Sequence, residues 1–203
     1  MNTKDLIKQK ALELFNKKGM LNITLRDVAA ELDKSYGNIT YHYKTKESVI
    51  EELYADMVAE LKIISGQILA AGDIFGSIIT APAYTFDLSV KYLFLFKDFI
   101  EIKRTYPKIA KKVDESNALR KTQLKQALVI LQHQELLRDD LNDEDLNYLM
   151  ELSGAIRTFF FLNLSISDLK KKDLKQSYIK YVNKLIEPYL SVEGRGKYDN
   201  MIL

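Results

Sequence analysis

The chain has 203 residues, with 30 lysines and arginines against 28 aspartates and glutamates for a formal net charge of +2, and it is 47% hydrophobic and 29% charged. That is enough chain for one or two domains with a real core, and the near-neutral balance excludes a broadly basic nucleic-acid coat, so any DNA contact must come from local clustering. With no cysteine, a disulfide framework and thiolate metal sites are excluded, in keeping with a reducing cytoplasm.

Lys4, Lys8 and Lys10 interrupt the opening residues, so no signal peptide is expected. No apolar run reaches the roughly eighteen residues of a membrane helix; the aromatic run at 159–162 is far too short, and a soluble cytoplasmic protein without a membrane partner is the expectation. Eight glycines and three prolines punctuate the chain and no strand-like alternation persists, which predicts an all-α fold.

The first helix is predicted at 3–18, with Thr3 as cap, Gly19 as stop and a buried stripe of Ile7, Ala11, Leu14 and Phe15. Thr24 then opens a short helix over 25–32, with Asp27 three residues on as a short-armed capping box. Leu25, Val28, Ala29 and Leu32 keep the i, i+3, i+4, i+7 pattern, and the small pair Ala29 and Ala30 permits a close helix crossing. Asp33 and Lys34 give a tight link into Ser35, the expected cap of a third helix about two turns long.

Residues 34–46 carry three lysines and no acid. On a helical wheel Ile39 and Tyr43 share one side, Gly37, Asn38 and Tyr41 occupy the opposite arc, and Tyr36, Thr40 and His42 flank them. An inward apolar pair beneath a face of hydrogen-bonding groups, with a glycine that admits a foreign backbone, suits a helix that reads the major groove of double-stranded DNA. Asn38 can pair with adenine, Thr40 can meet a base edge or a thymine methyl, and the tyrosines can reach phosphates. Lys44 and Lys46 would add sequence-independent charge, Lys46 from the start of the next helix, where the helix N-terminus also favours an anion. Arg26 would reach a phosphate or a guanine, Ser35 would approach phosphate while capping, and His42 is a further candidate phosphate contact.

Thr45 can cap a fourth helix through Val49, Ile50, Leu53, Met57 and Leu61, a connector over 47–62. Breaks or bends are expected at Gly72-Asp73, Pro82 and Tyr106-Pro107. Between them Tyr92, Leu93, Phe94, Leu95, Phe96, Phe99 and Ile100 form a segment apolar on most sides, hence deeply buried or facing a cavity. A helix over 108–137 follows, and the acidic stretch 139–145 reads as the capped start of the next. Two final helices are expected at 143–163 and 168–190, the first with Leu146, Leu149, Met150 and the small run 153–155, the second with Tyr178, Tyr181, Val182, Leu185 and Tyr189. Leu146, Met150, Tyr178, Val182 and Leu185 are the candidate dimerisation residues, for an intersubunit four-helix bundle or, equally by pattern, a core within one chain. The tail from Ser191, with two glycines, reads as loose.

Taken together, residues from about 7 to 50 resemble the DNA-binding region of the TetR family of bacterial transcriptional regulators. The resemblance is carried by Ile7, Ala11, Leu14, Phe15 and Gly19, then Thr24, Arg26, Val28, Ala29 and Leu32, then Ser35, Gly37, Ile39, the Tyr41-His42-Tyr43 run and Lys46-Glu47. Asp33 stands where that family usually has glycine, Lys34 where it has a small apolar residue, and Thr40 where it has tyrosine. The resemblance implies a three-helix DNA-binding domain over 1–46 and a larger helical ligand-binding and dimerisation domain over 47–203. It further implies a homodimeric regulator, a repressor above all, that places two reading helices in successive major grooves and is released by a small apolar or amphipathic effector. Tyr92, Phe96, Phe99, Arg157 and Phe160 are the candidate pocket residues for that effector, with Arg157 offering an anionic head group its charge or forming a structural ion pair.

Rival readings with the same architecture are a protein-interaction module with DNA as co-ligand and a lipid or acyl-chain binder without DNA binding. No enzyme is expected. The chain lacks a Glu-x-x-His pair, a phosphate-cradling glycine motif and a nucleophile with a nearby base, and His133 sits between glutamines on a helix; no catalytic residue, metal or cofactor is assigned.

Overall fold

The computed structural model describes residues 2–70, 72–165 and 167–202, with backbone alone at 67–70 and 202. Its regular elements are helices: α1 (Thr3–Lys18), α2 (Leu25–Glu31), α3 (Tyr36–His42), α4 (Lys46–Ala70), α5 (Ile74–Lys91), α6 (Phe94–Lys97), α7 (Phe99–Thr105), α8 (Pro107–His133), α9 (Asp143–Leu162), α10 (Leu174–Lys184) and α11 (Val192–Ile202), with three short 3-10 turns between them. The fold is all-α, as the patterning predicts, and among the described residues extended backbone pairs only as an isolated bridge between Leu137 and Leu190. No helix among them is long and apolar enough to cross a membrane. The chain divides into two compact units, Met1–Lys62 with Leu88–Lys112, and Ile63–Asp87 with Val113–Leu203.

In the first unit the helix ends are set by local chemistry. Asn2, rather than Thr3, caps α1, its side chain accepting from the Asp5 amide at 2.9 Å; the cap lies one residue earlier because the threonine is already helical. Gly19 stops the helix at φ 80 while its N–H bonds the Phe15 carbonyl. Thr24 and Asp27 form the reciprocal capping box of α2. Beyond α2, Asp33 N–H bonds the Ala30 carbonyl, Lys34 N–H bonds the Ala29 carbonyl, and Asp33 takes φ 51. This is a Schellman closure, whose left-handed residue is most often glycine, so Asp33 holds a glycine's conformation without being one. Ile7, Ala11, Leu14, Phe15, Val28, Ala29, Ile39, Tyr43, Val49 and Ile50 make the core of the unit, while Ala30 of the small pair stays exposed.

Phe94 stacks against Phe15 with ring centroids 5.2 Å apart, and its amide donates to Asn16. Tyr92, Leu93, Phe94 and Leu95 are buried as the apolar run predicts, but Ile100 on α7 is exposed, because α6 and α7 are short turns of helix that present alternate faces instead of one continuous buried rod.

Pro82 lies inside α5 and does not end it, while the second unit departs from expectation in three places. The helix expected over 108–137 runs from Pro107 and stops at His133, where Glu135 adopts φ 59 and the Leu136 N–H bonds the Leu131 carbonyl. Leu131 and Leu136 are both buried, the apolar contact that accompanies such a closure, so core packing ends a helix that carries no glycine to announce it. The helix expected over 168–190 is three pieces, with α10 flanked by 3-10 turns at Asp168–Lys170 and Glu187–Tyr189. The tail expected to be loose is α11.

That last correction has a clear cause. Ser191 starts α11 by accepting from the Gly194 amide at 2.9 Å and donates its hydroxyl proton to the Glu135 carbonyl at 2.5 Å, while its own N–H bonds the Leu136 carbonyl. Tyr198 is buried in the same core cluster as Leu136, Leu137, Ile186 and Leu190, so the tail completes the unit instead of leaving it. α9 begins as predicted, with Asn142 and Asp145 forming its capping box.

Candidate nucleic-acid interface

α3 is seven residues long, too short to stand alone, and its position is imposed from below. Ile39 and Tyr43 are buried, and the Tyr43 hydroxyl donates to Glu52 on α4 at 2.7 Å. Lys4 pairs with the same carboxylate and lies 5.3 Å from the Tyr43 ring centroid. Burial, then the bond to Glu52, pushes the Tyr43 phenol up; burial opposes ionisation of Glu52, but its bonds from Lys4 and Tyr43 prevail and hold it below the usual carboxylate range. Ser35 caps the helix, accepting from the Asn38 amide at 3.2 Å.

The outward arc carries the predicted residues. Ser35, Tyr36, Gly37, Asn38, Tyr41 and Lys44 are exposed, and Thr40 and His42 are half-buried. Tyr41 is 84% exposed, far more than an aromatic ring gains from by lying idle in water, and it meets the His42 ring edge-on at 5.1 Å. The Thr40 hydroxyl donates to the Tyr36 and Gly37 carbonyls at 3.1 and 3.2 Å. Its proton is therefore committed to the helix, leaving a lone pair and the methyl to face a partner. The Arg26 guanidinium lies 5.2 Å from the Tyr36 ring centroid, a cation–π pairing across the turn that sequence alone did not show, since it joins residues on two helices.

Lys46 has a different task from the one expected. Its ammonium donates to the Met20 carbonyl at 3.0 Å and the Ile23 carbonyl at 3.1 Å, tying the start of α4 to the link between α1 and α2. Burial pushes its pKa down, with Asp98 opposing, and Asp98 in turn accepts from the Met20 amide at 2.8 Å. Two of its three donors are thus spent inside the protein, whereas Lys44 is exposed and has no partner among the described residues. Exchange of Lys46 for methionine is expected to destabilise the first unit by roughly 1.5–3 kcal/mol, since two carbonyls lose a charged donor; chemical denaturation followed by circular dichroism measures this, and an unchanged midpoint would show that the two bonds contribute nothing.

The candidate effector residues fall in both units. Tyr92, Phe96 and Phe99 belong to the first, where the Tyr92 hydroxyl donates to Glu60 at 2.7 Å. Arg157 and Phe160 belong to the second. The Phe160 ring packs 5.0 Å from that of Tyr178, and Arg157 lines a cavity of about 40 Å³ with Ile78, Leu124, Leu128, Ser153 and Val182 among others.

Of the candidate dimerisation residues, Leu146, Met150, Tyr178 and Val182 are buried within one chain, and Leu185 is half-buried against its core. α9 carries a second apolar stripe on its other side, Tyr148, Leu152, Ala155, Phe159 and Leu162, spaced i, i+4, i+7, i+11, i+14. Tyr148, Phe159 and Leu162 are 61%, 67% and 41% exposed, and Tyr181 on α10, also exposed, lies beside Phe160. Within the aromatic run Phe159 is thus exposed while Phe161 is buried. Only the first of these stripes, the one the chain buries on itself, stood out in the sequence.

Comparison with known proteins agrees with this geometry. A family model described as "Bacterial regulatory proteins, tetR family" matches residues 7–53, and one described as "Bacterial transcriptional repressor" matches residues 53–198. Among solved structures, a TetR-family transcriptional regulator from Marinobacter aquaeolei VT8 is 22% identical with a TM-score of 0.83, over 100% of this chain and 98% of that one. The fatty acid degradation regulator FadR from Bacillus halodurans is 17% identical with a TM-score of 0.71, over 92% and 95%. A transcriptional regulator from Saccharomonospora viridis in complex with choline is 16% identical with a TM-score of 0.75, over 93% and 97%. At these identities the structures share the fold. No curated protein matches in sequence.

Proposed function

The chain belongs to the tetR family of bacterial regulatory proteins, and from that premise we propose that it is a ligand-responsive repressor that acts as a homodimer on a palindromic operator. The observation that carries the reading is the α3 face, in which exposed Tyr36, Gly37, Asn38 and Tyr41 stand over buried Ile39 and Tyr43. Asn38 reads a base, Tyr36 and Tyr41 reach phosphates, Arg26 stays stacked on Tyr36 near the backbone, and Lys44 supplies charge that ignores sequence. A helix this short brings few base contacts, so useful affinity needs two copies engaged at once.

The second copy is met through the outer face of α9 and α10. Tyr148, Phe159, Leu162 and Tyr181 leave more apolar surface in water than their chain needs for its own core, and a two-fold axis through that face makes it self-complementary. Two heads then address half-sites about one helical turn apart. A small molecule in the second unit releases the operator by binding more tightly to a conformation in which the heads no longer match that spacing.

Selection of bound duplexes from a random pool tests the reading: a palindrome with half-site centres about ten base pairs apart is expected, and recovery of no preferred sequence would end it. On the selected operator, exchange of Asn38 for alanine is expected to cost about 1–3 kcal/mol and relax preference at one base, whereas exchange of Lys44 for alanine weakens all sequences alike and lowers the salt slope by about one. Equal loss of specificity from the two changes would contradict the assigned roles.

A further inference from the structure

The second unit sets a cation against an apolar cavity and gives it no anion. Arg157 is half-buried, and burial is the largest influence on its guanidinium, pushing its pKa down, although none of its unbonded nitrogens is fully shut off from solvent. Its Nε donates to the Ser153 hydroxyl at 3.2 Å. Its remaining donors have no partner among the described residues, and no carboxylate there lies within ion-pair distance. Of the charges felt at Arg157, Tyr178 favours its protonated form and the exposed Arg120 on α8, a second cation, opposes it.

The five fixed donors of a guanidinium suit a carboxylate or a phosphate. The surroundings add the second half of a specification. The cavity that Arg157 lines is otherwise walled by Ile78, Ile79, Leu124, Leu128, Val182 and other apolar residues, with Ser153 and Asn183 as its polar members. The Asn183 amide is already engaged, donating to the Ile79 carbonyl at 2.9 Å, so the side chains left to recognise a polar group are Arg157 and Ser153.

We propose that this cavity, between α5, α8, α9 and α10, is the receptor for a small organic anion with an aliphatic body, whose charged group pairs with Arg157 and whose chain lies among the isoleucines and leucines. The proposal deepens the effector part of the regulator reading by naming the class of ligand. At about 40 Å³ the cavity holds little more than a water molecule, far below the few hundred Å³ of an occupied small-molecule site. The ligand therefore binds only a state in which the lining helices have parted. That requirement makes it a regulator as well as a guest, since it favours one conformation over another by differential affinity.

Calorimetric titration of the full-length protein at neutral pH, without DNA, tests the assignment. The probes are octanoate, octyl phosphate, octan-1-ol, octyltrimethylammonium and acetate. Octanoate or octyl phosphate is expected to saturate one site per chain at least tenfold more tightly than octanol or acetate, with no binding of the cation; the tighter of the two anions identifies the head group. Exchange of Arg157 for methionine is expected to weaken the anions at least tenfold while leaving octanol unchanged, and exchange for lysine to retain part of the preference. Octanol or the cation binding as well as the anions, acetate matching octanoate, or undiminished anion affinity in a folded Arg157→Met protein would each overturn the proposal. If that variant does not fold, the preference of the unaltered protein for octanoate over octanol decides alone. Failure here leaves operator selection untouched, and failure of operator selection leaves an anion site standing.

Discussion

Replacing Phe159 with glutamate is expected to give a folded monomer that holds its operator on the order of 10²–10⁴-fold more weakly, the loss that follows when two linked binding events become independent. The residue is 67% exposed in the single chain, so the change removes little packing within it. In a two-fold interface the same substitution occurs twice, and each carboxylate would be taken from water against an apolar face without a partner, at several kcal/mol apiece. Tyr84, also more than half exposed but on α5, supplies the control: its exchange for glutamate should leave both mass and operator affinity alone. Light scattering and fluorescence anisotropy on a labelled duplex measure the two quantities. A dimer mass for the Phe159→Glu protein at micromolar concentration would place the interface elsewhere.

The glycines of α11 yield opposite results two residues apart. A methyl group on Gly194 would stand 1.9 Å from the Leu136 carbonyl oxygen and 2.8 Å from its carbon, and these are backbone atoms that cannot swing aside. Exchange for alanine must therefore push α11 away from 135–137, straining the Ser191 and Gly194 hydrogen bonds and the burial of Tyr198. Overpacking of this kind costs about 1–3 kcal/mol, and the melting temperature of a chain this size falls by about 2–4 °C for each of those. Gly196 has open space where its methyl would go, so its exchange for alanine should gain up to about 1 kcal/mol from helix propensity. Differential scanning calorimetry on the pair checks the sign. Two equal melting temperatures would mean that α11 is not seated against Leu136.

Much of the first unit was legible because its decisive signals are short-range. Thr24 with Asp27, Ser35 before Tyr36, and the spacing of Ile39 and Tyr43 all act within one helical turn, and sequence carries such information locally. Lys46 was assigned to a phosphate because nothing near it in the chain shows that the Met20 and Ile23 carbonyls, more than twenty residues back, are waiting for a donor. The stop at Glu135 was missed for a related reason: a left-handed residue is forecast from glycine, and here Leu131 meeting Leu136 imposes it on a glutamate. In α11 the two glycines suggested looseness, although Gly194 is there to let one backbone press against another 58 positions earlier. Where α9 is apolar on two sides, the side with Leu146, Leu149 and Met150 is buried within the chain and the side with Tyr148 and Phe159 is exposed.

Arg26 resting on the Tyr36 ring has a thermodynamic side. Both are long side chains on the exposed surface of α2 and α3, and left independent each would sample several rotamers and surrender that freedom on meeting a duplex, at roughly 0.5–1.5 kcal/mol apiece. Held together in the free protein, they have already given up much of it during folding. Encounter with DNA then begins from a surface that is half frozen, and less of the contact energy is consumed in ordering it.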